Sequence, residues 1–252
     1  MDERTRTATR LTRERWEANA EYWVKVIRER HDRYRTELTD GALLDAIGDC
    51  AGMTVLDAGC GEGYLARSLT SSGADVLGVD SCQGLIEAAG RLGAASFTRA
   101  SVDALPIRDE AVDLVVGNHL FSHLPDPTGA IREFGRVLRG GGRLVILTLH
   151  PCFYTEHSEN GVTRSVPASR YFAARGVDQH FVVDGLRSPS AITSWLRPLE
   201  YYSTTLREAG FVITELREPR PTDEQLENDP WWHQGFPTAL FLLLTAERRR
   251  GG

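Results

Sequence analysis

The stretch Val55-Leu56-Asp57-Ala58-Gly59-Cys60-Gly61-Glu62-Gly63-Tyr64-Leu65-Ala66 constrains this chain more than any other. A short apolar run, Val55 and Leu56, reads as a buried parallel strand. An acidic residue closes it, three glycines follow at alternate positions, and a helix-like run starts at Tyr64. Glycine tolerates positive φ and lets a ligand approach the main chain closely. The helix that follows aims its unpaired N–H groups at the same spot. A strand, turn and helix of this kind belong at the carboxyl edge of an open α/β sheet, where ligands bind.

The glycine spacing narrows the ligand. The dinucleotide fingerprint is G-x-G-x-x-G. Here Gly59, Gly61 and Gly63 form G-x-G-x-G, and Tyr64 stands where that fingerprint wants glycine. With Asp57 before it, the pattern resembles the first motif of class I S-adenosylmethionine-dependent methyltransferases. Taken alone, the loop also suits a bland glycine-rich turn or a nucleotide-binding oxidoreductase. The resemblance implies an α/β fold: a Rossmann-like, seven-stranded, mostly parallel sheet sandwiched by helices, its last strand antiparallel. It also implies an N-terminal helical cap, a lid insertion, and S-adenosyl-L-methionine as cofactor of a methyltransferase (EC 2.1.1).

Later markers fall in the expected order. Residues 75–80 read as the second strand and end in Asp80, about 20 residues past the loop, where a carboxylate accepts both ribose hydroxyls. Dinucleotide enzymes use the same device, so Asp80 supports an adenosine-bearing cofactor without choosing one. A helix over 83–92 and a short strand near 95–98 follow. In the methyltransferase family an acidic residue near Ala100-Ser101-Val102-Asp103 faces the adenine amino group, and its neighbour's backbone touches the ring. Asp103 and Val102 fit those places; a plain surface turn is the alternative. The resemblance thus implies a cofactor set of Asp57, Gly59, Cys60, Gly61, Asp80, Ser81, Val102, Asp103 and Asn118. It runs through residues 53–150.

Composition bounds the rest. The chain has 252 residues, 41% hydrophobic and 25% charged, which suits one α/β domain with an insertion. A net charge of −6 argues against nucleic acid or an anionic membrane held by bulk electrostatics. Four scattered cysteines without a C-x-x-C pair fit reduced thiols in a cytoplasm and suggest no zinc site. The arginine-rich start is interrupted by acids and reads as no targeting peptide. No apolar run approaches a membrane span, and no clustered Asp/Asn set suggests a catalytic metal.

The remaining segments divide as 1–48, a helical cap; 49–150, the cofactor core; 151–198, a lid; and 199–252, completion of the sheet. Residues 1–9 are expected to fray. Helical spacing of Trp16, Trp23, Val26, Ile27 and Tyr34 predicts one helix over 10–34. A second covers 39–47, with Asp40 as its cap. A strand over 112–118 delivers Asn118 and His119. A helix over 128–138 stops at Gly140-Gly141-Gly142, and an apolar strand covers 143–149. Residues 151–198 mix Gly, Pro and aromatics and read as a recognition lid with a short hairpin near 179–183. A helix over 199–209, a strand over 211–216, a loop over 219–237 and a strand over 238–245 complete the order. Arg248 to Arg250 read as a solvated tail.

A sulfonium methyl is already electrophilic, so alignment and exclusion of water are the protein's main tasks. A phenol, acid or indole acceptor further needs its proton removed. His119, at a strand end, is the first candidate for that base, with a hydrogen-bonded histidine under the lid as its bland role; Tyr22 is a candidate helper, with core packing as its bland role. His150, His180, His233 and His123 read as structural. Trp16, Tyr22, Trp23, Phe121, Phe153, Tyr171, Phe172, Trp195, Trp231 and Trp232 crowd the covering segments. That surplus favours a small aromatic acceptor, as in specialised-metabolism methyltransferases. An indole carbon suits His119 and Tyr22; O- or N-methylation of another aromatic stays open. So do a nicotinamide oxidoreductase and a catalytically silent cofactor-binding protein. The chain is expected to be a monomer or homodimer.

Overall fold

The computed structural model describes residues 3–153 and 171–250. The sheet begins with β1 (Thr54–Ala58), β2 (Asp75–Asp80), β3 (Ser96–Arg99), β4 (Val112–Asn118) and β5 (Leu138–Leu149). β10 (Phe211–Arg217) and β11 (Phe241–Arg248) complete it. Its order is β10-β11-β5-β4-β1-β2-β3, with β11 antiparallel to both neighbours and the remaining pairs parallel. This is the Rossmann-like sheet expected. β1 is central, so both its faces are covered. Leu56 packs with β4, β5 and the helices α6 (Thr128–Val137) and α7 (Leu199–Glu208). Val55 packs on the opposite face with α3 (Asp40–Ile47) and α4 (Tyr64–Ser71). Side chains alternate along a strand, so neighbouring residues feed separate cores. Parallel strands covered this way read as solid apolar runs.

The N-terminal region departs from the single helix expected. Helix α1 (Glu3–Ala18) starts well before residue 10, and α2 (Ala20–Arg28) follows a break at Asn19. The break has a partner that sequence spacing does not reveal. Asn19 Nδ2 donates to Ser190 O at 2.9 Å, and Ser190 N–H donates to Asn19 Oδ1 at 2.9 Å. A π-helical turn, Arg35–Thr39, then leads into α3. Asp40 is therefore no cap; its carboxylate accepts the Tyr64 hydroxyl at 2.7 Å. Glu17 seats α1 on the domain by accepting the Gln83 and Gly84 N–H groups, each at 2.9 Å, at the start of α5 (Gln83–Leu92).

Other boundaries shift for local reasons. Gly140 to Gly142 lie inside β5, at the irregularity between the Val112–Leu138 and Leu114–Arg143 pairs, instead of stopping a helix. The 219–237 segment folds into α8 (Asp223–Asn228), with a Thr222/Gln225 capping box, and α9 (Pro230–Gly235). Arg248 belongs to β11 and pairs with Glu110 at 2.9 Å instead of trailing in solvent.

Within the insertion, β6 (Arg175–Gln179) pairs antiparallel with β9 (Ile192–Leu196), and the hairpin of β7 (Val182–Val183) and β8 (Leu186–Arg187) lies in the connection between them, where a single hairpin near 179–183 was expected. Tyr154 and the rest of the expected lid through residue 170 lie outside the described residues. Among the described residues no helix is long and apolar enough to cross a membrane.

Candidate active site

A cavity of about 1760 Å³ opens above the carboxyl ends of β1, β2 and β4. All nine residues of the expected cofactor set line it. The loop after β1 turns on Gly59, Gly61 and Gly63, each at positive φ. Two of these positions have no room for a side chain. A Cβ on Gly59 would lie 2.9 Å from Leu120 Cδ1, and one on Gly63 would lie 2.7 Å from Phe97 Cζ. Gly63 thus serves packing between the loop and β3 as much as ligand approach.

Asp80 ends β2 and braces the loop. Its Oδ2 accepts the Gly61 N–H at 3.0 Å and its Oδ1 accepts the Cys82 N–H at 2.9 Å. A carboxylate has about four lone-pair sites, so both oxygens keep capacity for hydroxyl donors. Asp103 packs against Gly129 in the first turn of α6.

Among the described residues, three acceptors in this half of the cavity are buried without a hydrogen-bond partner: Asp57 Oδ2, Asp103 Oδ1 and Asn118 Oδ1. A buried polar atom left unpaired is costly, and such atoms cluster where a ligand completes the set. Burial, with the Asp80 charge second, pushes Asp57 up to about 7 from an ordinary value near 3.8. Burial likewise raises Asp103. The Ala66 N–H and the Arg35 charge offset part of this at Asp57, and the Ala130 N–H at Asp103, but one oxygen of each carboxyl still has no donor among the described residues. A ligand with an ammonium, an exocyclic amine and ribose hydroxyls supplies what they lack.

The other half is aromatic. Trp16, Trp23, Tyr34, Phe181, Trp231 and Phe241 line it. Trp23 meets Trp16 at 5.7 Å and Phe181 at 5.2 Å; Tyr34 meets Trp231 at 4.8 Å and Phe241 at 5.7 Å. Only Trp16, Trp23 and Trp231 come from the aromatic set expected here. Phe121 and Trp232 are core, Phe153 and Phe172 are exposed, and Tyr171 and Trp195 lie outside this lining. Tyr34, Phe181 and Phe241 were legible as apolar residues but carried no mark separating them from core.

His119 lines the cavity beside Phe241, with ring centroids 5.6 Å apart. Its backbone sits at φ +57°, an uncommon conformation for a non-glycine residue, held by an N–H to Leu147 O bond at 2.8 Å. Burial, then the Arg35 charge, pushes its imidazole down to about 3. The candidate base is therefore neutral and weakly basic. Tyr22 does not line the cavity; its hydroxyl donates to Leu186 O at 3.2 Å, tying α2 to the insertion, and burial pushes it up to about 12. His123 and His180 line the cavity, His150 pairs with Glu218 at 2.9 Å outside it, and His233 is exposed. Arg35 lines the cavity too. It escaped the sequence reading because one arginine among many carries no periodic or motif signal.

The fold and site together define an α/β protein that binds an adenosine-bearing, amine-bearing ligand across a sheet edge, with an aromatic chamber beside it. Residues 56–146 match the family described as "Methyltransferase domain". Residues 56–146 thus carry a methyltransferase domain, and S-adenosyl-L-methionine is its cofactor. It is 31% identical over 161 residues to a ubiquinone biosynthesis O-methyltransferase of Xanthomonas oryzae, covering 60% of this chain and 64% of that one. Across that protein and two other curated relatives the chain spans 39% to 64% of the relative's length.

Among solved structures, an S-adenosylmethionine-dependent methyltransferase from Mesorhizobium loti has a TM-score of 0.68 at 26% identity, covering 82% of this chain and 96% of that one. A Listeria monocytogenes protein to which the same activity is ascribed has a TM-score of 0.70 at 22% identity, covering 83% and 96%; it bears on the fold alone.

Proposed function

We propose that the chain transfers a methyl group from S-adenosylmethionine to a small aromatic acceptor. The observation that carries this reading is the split character of one cavity. Unpaired acceptor atoms of Asp57, Asp103 and Asn118 stand at one end, and an aromatic chamber stands at the other. Asp57 would hold the ammonium group, Asp80 the ribose hydroxyls and Asp103 the adenine amine, with Gly59, Cys60, Gly61, Ser81 and Val102 shaping the cradle. When bound, the cofactor supplies a sulfonium-activated methyl carbon. The chain's own task is then orientation and exclusion of water. Trp23, Ile27 and Phe181, contributed by α2 and the insertion, cover the chamber, which supports a cap-and-lid role for residues 1–48 and 151–198.

His119 fits a hydrogen-bond acceptor that orients the substrate better than a strong base. A group pushed to about 3 holds a proton poorly at neutral pH. The O-methyltransferase relative favours an oxygen acceptor over an indole carbon. The test is incubation with labelled cofactor and a panel of phenols, aromatic acids, indoles and amines, read by mass spectrometry. Methyl transfer to an aromatic member is expected. Binding of S-adenosylhomocysteine with no transfer to any member would overturn the reading and favour a silent cofactor-binding protein.

A further inference from the structure

We propose that Arg35 selects the acceptor by an ionised oxygen, so that the chain methylates aromatic acids or phenolates that enter as anions. This rests on the methyl-transfer reading above and narrows its substrate class. Arg35 opens the π-helical turn between α2 and α3 and lines the cavity. Turns of this type recur at functional sites.

Its guanidinium is short of partners. Among the described residues Nε is buried with no hydrogen-bond partner, and its one ion pair, with Asp32 Oδ2, spans 3.9 Å, too long for a hydrogen bond. Neighbouring arginines differ. Arg33 is held by Glu37 at 2.7 Å and Asp229 at 2.6 Å, and Arg28 by Glu62 at 2.9 Å. Trp23 Nε1, also in the cavity lining, is a second buried donor without an acceptor. Among the described residues, the cavity lining thus holds two buried N–H donors that no protein oxygen meets at hydrogen-bond distance, although Asp32 stands near one of them. A planar guanidinium beside aromatic walls recognises carboxylate or phenolate.

The Arg35 charge acts on His119 on one side and on Asp57, Asp40 and Tyr64 on the other, so the guanidinium stands between the two halves of the cavity. Tyr34, next in sequence, meets edge-on the wall that Phe241 and His119 share.

An anionic acceptor changes what the chain must do. The acceptor oxygen's lone pair forms the O–CH3 bond as the S–CH3 bond breaks, and that bond's electron pair passes to sulfur. The sulfonium becomes a neutral thioether, the acceptor anion becomes a neutral ester or ether, and no proton is left over. No protein base is required, in keeping with a weakly basic His119. The neutral product then has no charge to offer Arg35, which favours its release.

The cofactor also bears a carboxylate, so the test separates the two sources. Full-length wild type, Arg35→Gln and Arg35→Lys are titrated with S-adenosylhomocysteine alone. Each is then titrated, with it bound, with matched acid and amide probes: 4-hydroxybenzoate against 4-hydroxybenzamide, and indole-3-acetate against indole-3-acetamide. The amide phenol is repeated at pH 9, where more of it is phenolate.

Wild type is expected to prefer acid to amide by at least about tenfold for one pair, or to gain as much for the phenol at pH 9. Arg35→Gln should erase that preference, Arg35→Lys should restore part of it, and S-adenosylhomocysteine affinity should change less than about threefold. Loss of S-adenosylhomocysteine affinity with the acid preference intact would overturn the proposal and give Arg35 to the cofactor. Equal weakening of acid and amide, or no anion preference in wild type, would also overturn it. Failure of the methyl-transfer reading looks different: wild type would discriminate anions yet transfer no methyl group to any of them.

Discussion

Asp57→Asn separates what the empty site costs from what the filled site gains. Asp57 is 1% exposed, its Oδ2 has no partner, and burial raises it from near 3.8 to about 7. Between those values the folded chain keeps a proton that the unfolded chain has lost. Stability therefore falls as pH rises from about 4 to about 7, and the whole penalty stands above 7. About three pH units at about 1.4 kcal/mol each come to about 4 kcal/mol at pH 8, against about 2 kcal/mol at pH 5. Asparagine keeps the shape and removes the charge. The ligand-free variant should then gain on the order of 10 °C in Tm at pH 8 and about half that at pH 5, at about 2–4 °C per kcal/mol for a chain this size. On the role proposed for Asp57, the same variant loses a charge-assisted contact to the cofactor's ammonium, about 1.5–3 kcal/mol, so S-adenosylhomocysteine should bind about 10- to 150-fold more weakly. Thermal unfolding at both pH values and calorimetric titration measure the two halves. An Asp57→Asn protein with wild-type Tm at pH 8 and wild-type affinity would refute the reasoning.

Three further outcomes follow from other parts of the site. His119, at φ +57°, should be replaced by glycine with about 1 kcal/mol less loss of stability than by alanine. Both variants should lower turnover while cofactor affinity holds. The pH profile of wild-type kcat/KM should show no inflection near 6.5 that His119→Gln removes; finding one would make His119 the base after all. Gly63→Ala should cost about 2–4 kcal/mol, because φ is +82° and the new methyl would press on Phe97, and chemical denaturation reads this directly. Asn19→Ala should cost about 2–3 kcal/mol and raise amide exchange in the α1–α2 break and around Ser190, since both groups lose buried partners. Unchanged exchange at Ser190 would show that the roof is held elsewhere.

The cofactor half was legible because its chemistry is local. Gly59, Gly61 and Gly63 answer to backbone angles and close contacts within one turn, Asp80 ends a strand whose apolar run marks it, and Asp103 follows β3 by a short loop. Parallel central strands are covered on both faces, so β1, β2, β4 and β5 stand out as apolar stretches whatever surrounds them. The aromatic half was not legible in the same way. A tryptophan at helical spacing reads alike whether it faces core or cavity. Phe121 went to the core and Trp23 to the chamber, because long-range packing decides which face is filled.

The sequence alone determined the sheet, its order of motifs and the acids that line the cavity, since each depends on a few consecutive residues obeying strand, turn or helix geometry. Tertiary structure alone decided the break at Asn19, closed by Ser190 some 170 residues away, and the exclusion of Tyr22 from the chamber. It also decided the low basicity of His119 and the exposure of Arg35 to the cavity. Burial and electrostatic environment are properties of what surrounds a residue in space, and distant segments supply those surroundings.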